Sequence, residues 1–208
     1  RFKKKNIFPL NNKPLITYTI KEAKKSKYID RLILSSESKL IIKIAKQNKC
    51  EVPFVRPKYL ATDNVSSIKV IQHALAKLEK KYDLVILLQP TSPLRNIKDI
   101  DGSIELLYKK KAYSVISVYR SRKTQKFPVR VNKRLEIKKV SKKESKKKIN
   151  NPNKYFLNGA IYLVRSNLFL RKKNFFSKKT FAYKMPYSRS IDIDTIHDFN
   201  KVKSIFYK

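Results

Sequence analysis

The chain has 208 residues, which is enough for one ordinary domain with its own hydrophobic core. No apolar run approaches the roughly 18 residues of a membrane span, and the single cysteine, Cys50, excludes an internal disulfide and a cysteine metal cluster, so a packing role and a reducing cytoplasm are predicted. The net charge of +36 would suit nucleic acid, but the lysines are spread over almost every segment, which favours solvated faces and leaves anion binding as the alternative.

The first part of the chain alternates between helix-like and strand-like segments. PLITYTIKEAKK, from Pro14 to Lys25, places Ile16, Ile20 and Ala23 at helical spacing. RLILSSES predicts a short strand, SKLIIKIAKQNK a second helix and CEVPFV a second strand. This βα alternation predicts a parallel sheet with helices on both faces.

The later segments continue the alternation. A helix is predicted over Val65 to Tyr82, beginning near Asp63 or Asn64. DLVILLQ is apolar on both faces, which is typical of a central parallel strand. A helix over 97–110, the strands YSVISVY, FLNGAIYLVR and FAYKMPY, and a closing helix over 195–206 complete the pattern.

The segment 120–153 breaks this pattern because it is polar, charged and only weakly alternating. FPVRV and RLEIKKV alternate, and NK lies between them as a possible turn, which favours an extended hairpin leaving the core. A disordered basic loop is the alternative.

Polar clusters follow the predicted strands, where open α/β sheets bind their ligands. They are SSES, RPKYLATDNVSS, LQPTSPLR and SIDID. Gln89 could contact a polar substrate or only close the end of its strand, and Arg56 could bind phosphate or a base or only pair with a surface carboxylate. His73 and His197 lack metal-ligating neighbours at useful spacing and are predicted to be structural.

Asp192 and Asp194 alternate with two isoleucines in SIDID. On an extended segment their carboxylates project from one face about 7 Å apart. Such a pair suits Mg²⁺, which commonly takes one or two carboxylates and completes its shell with water and phosphate oxygens. The alternative is that one aspartate caps the following helix.

Together the motifs resemble the acylneuraminate cytidylyltransferases. KNIFPLNNKPLITYTI, VPFVRPKYLATDNVSS, LLQPTSPLR, FLNGAIY and SIDIDT occur in that family's order and spacing over nearly the whole chain. The resemblance implies a single doubly wound, mostly parallel α/β domain with a protruding dimerisation excursion at 120–153, and hence a cytoplasmic homodimer. It implies transfer of CMP from CTP to the anomeric hydroxyl of a nine-carbon 2-keto sugar acid, of sialic or legionaminic acid type, with release of pyrophosphate.

The resemblance also implies roles for individual residues. The residues expected to bind CTP are Lys5, Asn6, Arg56, Ser66 and Ser67. The residues expected to contact the sugar acid are Gln89, Asn158, Tyr162 and a basic pair of the excursion, Lys126 and Lys148. Asp192 and Asp194 would hold Mg²⁺, and with Lys5 they are the predicted catalytic residues.

Two departures from the family pattern affect these expectations. The family begins with a strand and a phosphate-binding loop of the form ARGGSK, and Arg1 to Asn6 match only the tail of that loop, so an N-terminally truncated chain that could be inactive as it stands is expected. Lys148 stands where arginine is usual, which gives up bidentate recognition of a carboxylate. Pseudaminic acid and the eight-carbon acid Kdo therefore stay open as substrates.

Two readings without catalysis are the rivals. A basic nucleic-acid-binding module would need its lysines on one face and binding that falls steeply with salt. A degenerate relative would keep the fold and lose the chemistry. The even spread of charge argues against the first, and retention of both aspartates argues against the second.

Overall fold

The computed structural model describes residues 5–121, 127–139 and 154–206, and within them lie six helices and eight strands. The helices are α1 (Leu15–Ala23), α2 (Lys39–Gln47), α3 (Ser67–Lys77), α4 (Ile97–Lys109), α5 (Ser166–Lys172) and α6 (Ile196–Phe206). The strands are β1 (Pro9–Leu10), β2 (Lys13–Pro14), β3 (Leu84–Leu88), β4 (Ser114–Tyr119), β5 (Pro128–Val131), β6 (Ile137–Lys139), β7 (Lys154–Arg165) and β8 (Thr180–Lys184). Short 3₁₀ turns cover Lys5–Ile7, Lys58–Leu60 and Tyr187–Arg189.

Five helices were predicted and all five are confirmed, as α1 to α4 and α6. The start of α3 was placed too early: the helix begins at Ser67, because a turn closed by Val65 N–H donating to the Thr62 carbonyl occupies the preceding residues. Helix α5 was not predicted, since its seven residues directly follow a long apolar strand.

The long strand β7 organises the main sheet. β3 and β4 both pair with it in antiparallel fashion, and β8 pairs parallel with β4. β3, β4 and β8 therefore share one direction, with β7 running against them. The expected α/β class is confirmed. The prediction of parallel pairing for DLVILLQ is wrong, because β3 pairs antiparallel with β7; an apolar pattern on both faces reflects burial on both faces, which usually but not always accompanies parallel pairing.

The second edge of β3 faces a cavity of about 630 Å³, which separates it from residues 29–36. In the described ranges no strand pairs with this edge, and the strands predicted in RLILSSES and CEVPFV are reduced to one parallel bridge between Ile33 and Glu51. All five apolar residues of β3 are consequently only partly buried.

The predicted hairpin is confirmed as β5 and β6, but it extends the main sheet instead of leaving the core. β5 pairs with the start of β7, and Val129 and Val131 are buried. The turn is longer than the two residues NK: the Asn132 side chain donates to the Glu136 carboxylate at 2.6 Å and accepts from its N–H at 2.8 Å. The rest of the 120–153 excursion lies outside the described residues, so its role in dimerisation stays a prediction.

Two apolar clusters cover the two faces of the main sheet, as the alternation of side chains along β4 and β7 requires. One packs α4 against the sheet through residues such as Ile104, and the other packs α3 and α5 through Ile71 and Phe169. Cys50 is buried in a smaller cluster with α1 and α2, as expected, and its burial raises the pKa of the thiol to about 11. Within the described residues, every helix is too short or too polar to cross a bilayer.

Candidate active site

A bulge in β7 lies beside the carboxyl end of β3. Ile116 pairs with Tyr162 but Val118 pairs with Leu157, so the four residues 158–161 of β7 stand opposite the single residue Ser117 of β4. The Ser117 hydroxyl fills the gap by accepting from the Ile161 N–H at 2.8 Å. Bulges of this kind redirect backbone and side chains near functional sites.

Gly159 occupies the turn of this bulge with a φ of +73°, a conformation that glycine adopts without strain. A Cβ atom at this position would lie 2.7 Å from Gln89 Oε1 and 3.7 Å from Asp192 Oδ2. The missing side chain therefore lets two of the predicted site residues, from distant parts of the sequence, approach one backbone position.

Asn158, the neighbouring residue, points into the protein and is only 3% exposed. Its Oδ1 accepts from the Ser117 hydroxyl and from the Ala160 N–H, and its Nδ2 donates to the Ser190 hydroxyl at 3.0 Å and to Met185 Sδ at 3.3 Å. The side chain fixes the bulge to SIDID, and contact with a sugar acid would require a ligand to replace one of these bonds.

The segment SIDID follows the 3₁₀ turn Tyr187–Arg189 and joins no strand ladder among the described residues. It is held by the Ile193 N–H, which donates to the Thr91 carbonyl at 2.8 Å, and by the fully buried Ile193 side chain. These two anchors set Asp192 and Asp194 on either side of a residue fixed in the core.

Neither aspartate caps the following helix through its side chain, which removes the alternative raised by the sequence. The Asp198 carboxylate accepts from the Thr195 N–H and hydroxyl, and the Thr195 hydroxyl accepts from the Asp198 N–H. This reciprocal box satisfies the start of α6. The start of α6 is thus satisfied by Thr195 and Asp198, and Asp192 and Asp194 stay candidates for the metal role.

The two carboxylates have different surroundings. Burial raises the pKa of Asp192 and the nearby Asp194 charge adds to this effect, while a Thr91 hydrogen bond and the Lys5 ammonium oppose it. Asp192 Oδ1 is buried and has no hydrogen-bond partner in the part of the chain that the structure describes. Lys5 Nζ donates to Asp194 Oδ1 and to the Ile193 carbonyl, each at 2.8 Å.

Arg56 lies across the large cavity, where its backbone N–H donates to the Ser36 carbonyl at 3.0 Å. Its Nη2 pairs with the Glu37 carboxylate, as one of the two interpretations from sequence expected, but its Nε is buried without a partner among the described residues. Asn6 Oδ1 and Ser35 Oγ are also buried without a hydrogen-bond partner among the described residues, and both residues line the same cavity. We use the name open wall for four residues that have such an atom, which are Asn6, Ser35 and Arg56 at the large cavity and Asp192 beside Gly159.

A smaller cavity of about 210 Å³ brings both groups of predicted contacts together. Ser66 and Ser67, expected at the nucleotide, line it with Gln89 and Tyr162, expected at the sugar acid. Burial raises the pKa of the Tyr162 phenol, and the Asp192 charge adds to the rise. Gln89 lines both cavities, together with Ser67 and Leu87.

Sequence reasoning missed several residues that shape the site. Phe175 lines the smaller cavity and packs against the Tyr162 ring at 5.1 Å. Arg189 holds the segment before SIDID against α4 through a two-bonded contact with the buried Asp99 carboxylate. No spacing signal joins these residues, because each contact bridges elements far apart in sequence.

Three other predicted positions are Lys126, Lys148 and His73. Lys126 and Lys148 lie outside the described residues, so their approach to a sugar carboxylate stays a prediction. His73 packs edge-on against the Phe54 ring at 5.2 Å, in line with its predicted structural role.

Known proteins with similar sequences include several cytidylyltransferases. A family model described as "Cytidylyltransferase" matches residues 1–208. The chain is 33% identical to an N-acylneuraminate cytidylyltransferase of Escherichia coli over 98% of its own length and 48% of the relative's, so it spans about half of that protein. It is 32% identical to a pseudaminic acid cytidylyltransferase of Campylobacter jejuni, covering all of this chain and 91% of the relative.

Two further matches add a substrate name and a fold. A CMP-N,N'-diacetyllegionaminic acid synthase of Legionella pneumophila is 32% identical over 94% of this chain and 86% of the relative. A solved structure of CMP:2-keto-3-deoxy-manno-octonic acid synthetase, complexed with CTP, superposes with a TM-score of 0.79 at 13% identity and covers all of this chain and 93% of that one. At that identity the structural match shows the fold alone.

Proposed function

The chain belongs to the cytidylyltransferase family, as its five motifs predicted, and from that membership we propose that it transfers CMP from CTP to the anomeric hydroxyl of a 2-keto sugar acid. The hydroxyl oxygen attacks the α-phosphorus, the bond from that phosphorus to the bridging oxygen breaks, pyrophosphate leaves and the hydroxyl proton is released. The observation that carries the proposal is the approach of Gln89 and Asp192 to Gly159 beside cavities lined by the predicted nucleotide contacts.

The open wall supports binding of the nucleotide. Buried polar atoms without partners are rare because each costs free energy, so atoms of this kind indicate where a ligand supplies the missing bonds. CTP offers acceptors for Arg56 Nε and donors for Asn6 Oδ1. The cationic groups of Lys5 and Arg56 oppose the negative charge that develops as pyrophosphate leaves.

We also propose Mg²⁺ as cofactor, held by Asp192 and Asp194. Its fit rests on the unpartnered Asp192 Oδ1 and on the Lys5 ammonium, which shows that the oxygens of Ile193 and Asp194 already accept a cation. No three His, Cys, Asp or Glu side chains form a metal-binding group within the described ranges, so the shell would need water and phosphate oxygens, as Mg²⁺ shells commonly do. When bound, the ion would neutralise phosphate charge, and Asp192 must be ionised to hold it.

For the sugar acid we propose a nine-carbon substrate of sialic or legionaminic acid type, activated in the cytoplasm by a homodimer. The motifs NGAIY and SIDIDT favour this type. Gln89 and Tyr162 offer an amide and a phenol to the sugar from the two sides of the smaller cavity. Relatives named for three nine-carbon acids are equally similar to this chain, so pseudaminic acid and Kdo belong in the test.

The test is pyrophosphate release from CTP and Mg²⁺ with a panel of sialic, legionaminic and pseudaminic acids and Kdo. It should be run on this chain and on one extended by the strand and ARGGSK loop that the resemblance implies, with UTP as the nucleotide control. We expect turnover of one acid with CTP and its loss in Asp192→Ala. A folded extended chain that releases no pyrophosphate with any acid would refute the proposed function and favour a non-catalytic relative.

A further inference from the structure

Arg95, the last residue of LQPTSPLR, is buried with only 1% of its surface exposed. Its Nη1 donates to the Ala160 carbonyl at 2.7 Å and to the Gln89 carbonyl at 3.2 Å, and its Nη2 donates to the Thr19 hydroxyl at 2.8 Å. One side chain therefore joins helix α1, the end of β3 and the bulge of β7.

These contacts occur where β3 and β7 part. The last pair of their ladder is Leu88 with Ile161, so Gln89 and Ala160 would form the next pair. Instead, the carbonyls of both residues accept from the same guanidinium nitrogen. The fixed planar fork of arginine sets the distance and angle between two acceptors in a way that a flexible ammonium does not.

The guanidinium has no carboxylate among the hydrogen-bond partners found in the described residues. Burial lowers the pKa of Arg95 to about 10, so the group stays charged at neutral pH, with Asp99 and Glu22 as the charges that oppose the shift. Asp99 is engaged by Arg189 and Glu22 by the Ile97 N–H. A buried charge of this kind is a poor source of stability compared with an apolar side chain, which indicates a role in geometry.

We propose that Arg95 is a positioning residue for the sugar acid: it fixes the separation of Gln89 and Ala160 and so places the Gln89 amide against Gly159. This inference rests on the proposed function, in which Gln89 contacts the sugar. Arg95 itself touches no substrate. It acts through the backbone carbonyls of Gln89 and Ala160, at the point where β3 and β7 separate.

Arg95→Lys is the primary variant, because it keeps the charge but cannot reproduce the fork, whereas Arg95→Met removes every bond that the guanidinium donates to the Ala160 and Gln89 carbonyls and the Thr19 hydroxyl. We expect the KM for the sugar acid to rise about tenfold and kcat/KM to fall by about 10- to 100-fold, since small misplacements of a substrate have effects of this size. The KM for CTP should stay within about twofold of the original value, because the open wall does not contact Arg95.

Arg165→Lys is the matched control. Arg165 donates to the Ala112 carbonyl at the far end of β7, so this variant also removes an arginine-to-carbonyl contact of the same strand. We expect it to lower Tm without changing the KM for either substrate. The proposal is wrong if Arg95→Lys lowers Tm but leaves both KM values as close to the parent values as Arg165→Lys does. Arg95 would then be purely structural.

A readout without turnover separates this proposal from the proposed function. In ¹⁵N-labelled protein, the side-chain amide resonances of Gln89 should shift in Arg95→Lys and stay in place in Arg165→Lys. Should the extended chain turn over no sugar acid, the proposed function fails while the Gln89 resonances still decide whether the contact places that amide. Unchanged resonances would overturn the positioning role whatever the kinetics.

Discussion

The two sides of the candidate site differ in where their polar atoms find partners. One side, which we call the bulge wall, consists of Ser117, Asn158, Gly159 and Ser190, and the side chains of Ser117, Asn158 and Ser190 are joined by hydrogen bonds. In the open wall, each of the four residues has a buried atom without a partner among those described. The polar side chains of the bulge wall are paired on folding, whereas the open wall keeps buried polar atoms that a ligand could pair.

Because of this difference, substitutions in the two walls should affect stability and activity differently. Leaving a buried polar group unpaired costs about 1–3 kcal/mol, so loss of a bulge-wall partner destabilises the fold. A substitution in the open wall removes a group that contributes little to the folded chain alone. Open-wall variants should therefore lose activity at nearly constant stability, and bulge-wall variants should lose both.

Asp192→Asn is expected to have the largest effect on activity. It removes the negative charge that the proposed metal and the developing phosphate charge depend on, so kcat should fall about 10³-fold in a pyrophosphate-release assay. Thermal unfolding should show an unchanged or higher Tm, because an amide costs less to bury than a carboxylate.

Asp198→Asn is the control for Asp192→Asn, because Asp198 belongs to the box at the start of α6. It should lower stability by about 0.5–2 kcal/mol, as loss of a helix cap does, and leave most of the activity. A large loss of activity in Asp198→Asn together with a small one in Asp192→Asn would contradict the division between the walls.

Gly159→Ala should damage activity and stability together. The added Cβ meets Gln89 Oε1 at 2.7 Å, and the φ of +73° is strained for alanine. We expect kcat/KM for the sugar acid to fall about 100-fold and the free energy of unfolding to fall by about 1–3 kcal/mol.

The other glycine, Gly102, provides the comparison. Its added Cβ would meet the Tyr183 ring at 2.9 Å, so that side chain must shift, but the position is helical and alanine is the better helix former by about 1 kcal/mol. Gly102→Ala should therefore change urea unfolding little and leave the KM values as they are. Equal losses in both variants would mean that the bulge has no special role.

Arg56→Ala should have a smaller effect, confined to the nucleotide. We expect the KM for CTP to rise about tenfold, because hydrogen bonds to charged groups contribute about 1.5–3 kcal/mol, with the KM for the sugar acid nearly unchanged. Differential scanning fluorimetry should show that CTP with Mg²⁺ raises Tm less in this variant than in the parent, since stabilisation follows ligand affinity.

Asn158→Ala provides the opposite case to Arg56→Ala. It removes the Asn158 bonds to the Ser117 and Ser190 hydroxyls and the acceptor of the Ala160 N–H, so Tm should fall before any ligand is added. If Arg56→Ala lowered the Tm of the free chain as much as Asn158→Ala, the open wall would be part of the folded core.

Much of the fold could be predicted from local patterns. The helical spacing of Ile16, Ile20 and Ala23 predicted α1, and the apolar run DLVILLQ predicted a strand at β3. Local patterns could not predict the direction of neighbouring strands. The neighbour of β3 in the sheet is β7, which also pairs with β4 and is far from β3 in sequence. The chain reverses between β1 and β2 at Asn11 and Asn12, both at positive φ. The pair of asparagines in LNNK is a sequence signal for such a turn.

The candidate site could be predicted residue by residue only through the family resemblance. Spacing alone left Asp192 and Asp194 divided between metal binding and capping, and the decision came from Thr195 and Asp198, whose box is visible only in three dimensions. Arg95 gave no signal, because an arginine at the end of a polar cluster is normally exposed. Its burial depends on three carbonyl and hydroxyl partners that lie on separate elements.

The smallest expected effect is on the pH dependence of the free energy of unfolding, through Asp192, the one carboxylate of the open wall. Because burial raises the pKa of Asp192 in the folded chain, its neutral form favours folding. That contribution is fully present below the ordinary aspartate pKa and is lost as pH rises through the raised folded-state pKa. Urea unfolding at about pH 4 and about pH 7 should therefore show Asp192→Asn gaining stability relative to the parent as pH rises, by about 1.4 kcal/mol per unit of pKa shift.

Thr91→Val sharpens this last test because the Thr91 hydrogen bond lowers the pKa of Asp192. Without that bond the folded-state pKa should rise further, and the difference in stability between about pH 4 and about pH 7 should widen. Asp192→Asn should cancel the widening when the two substitutions are combined, since no carboxylate is left to titrate. A stability difference independent of pH would mean that water reaches Asp192 and that this part of the open wall is already satisfied without a ligand.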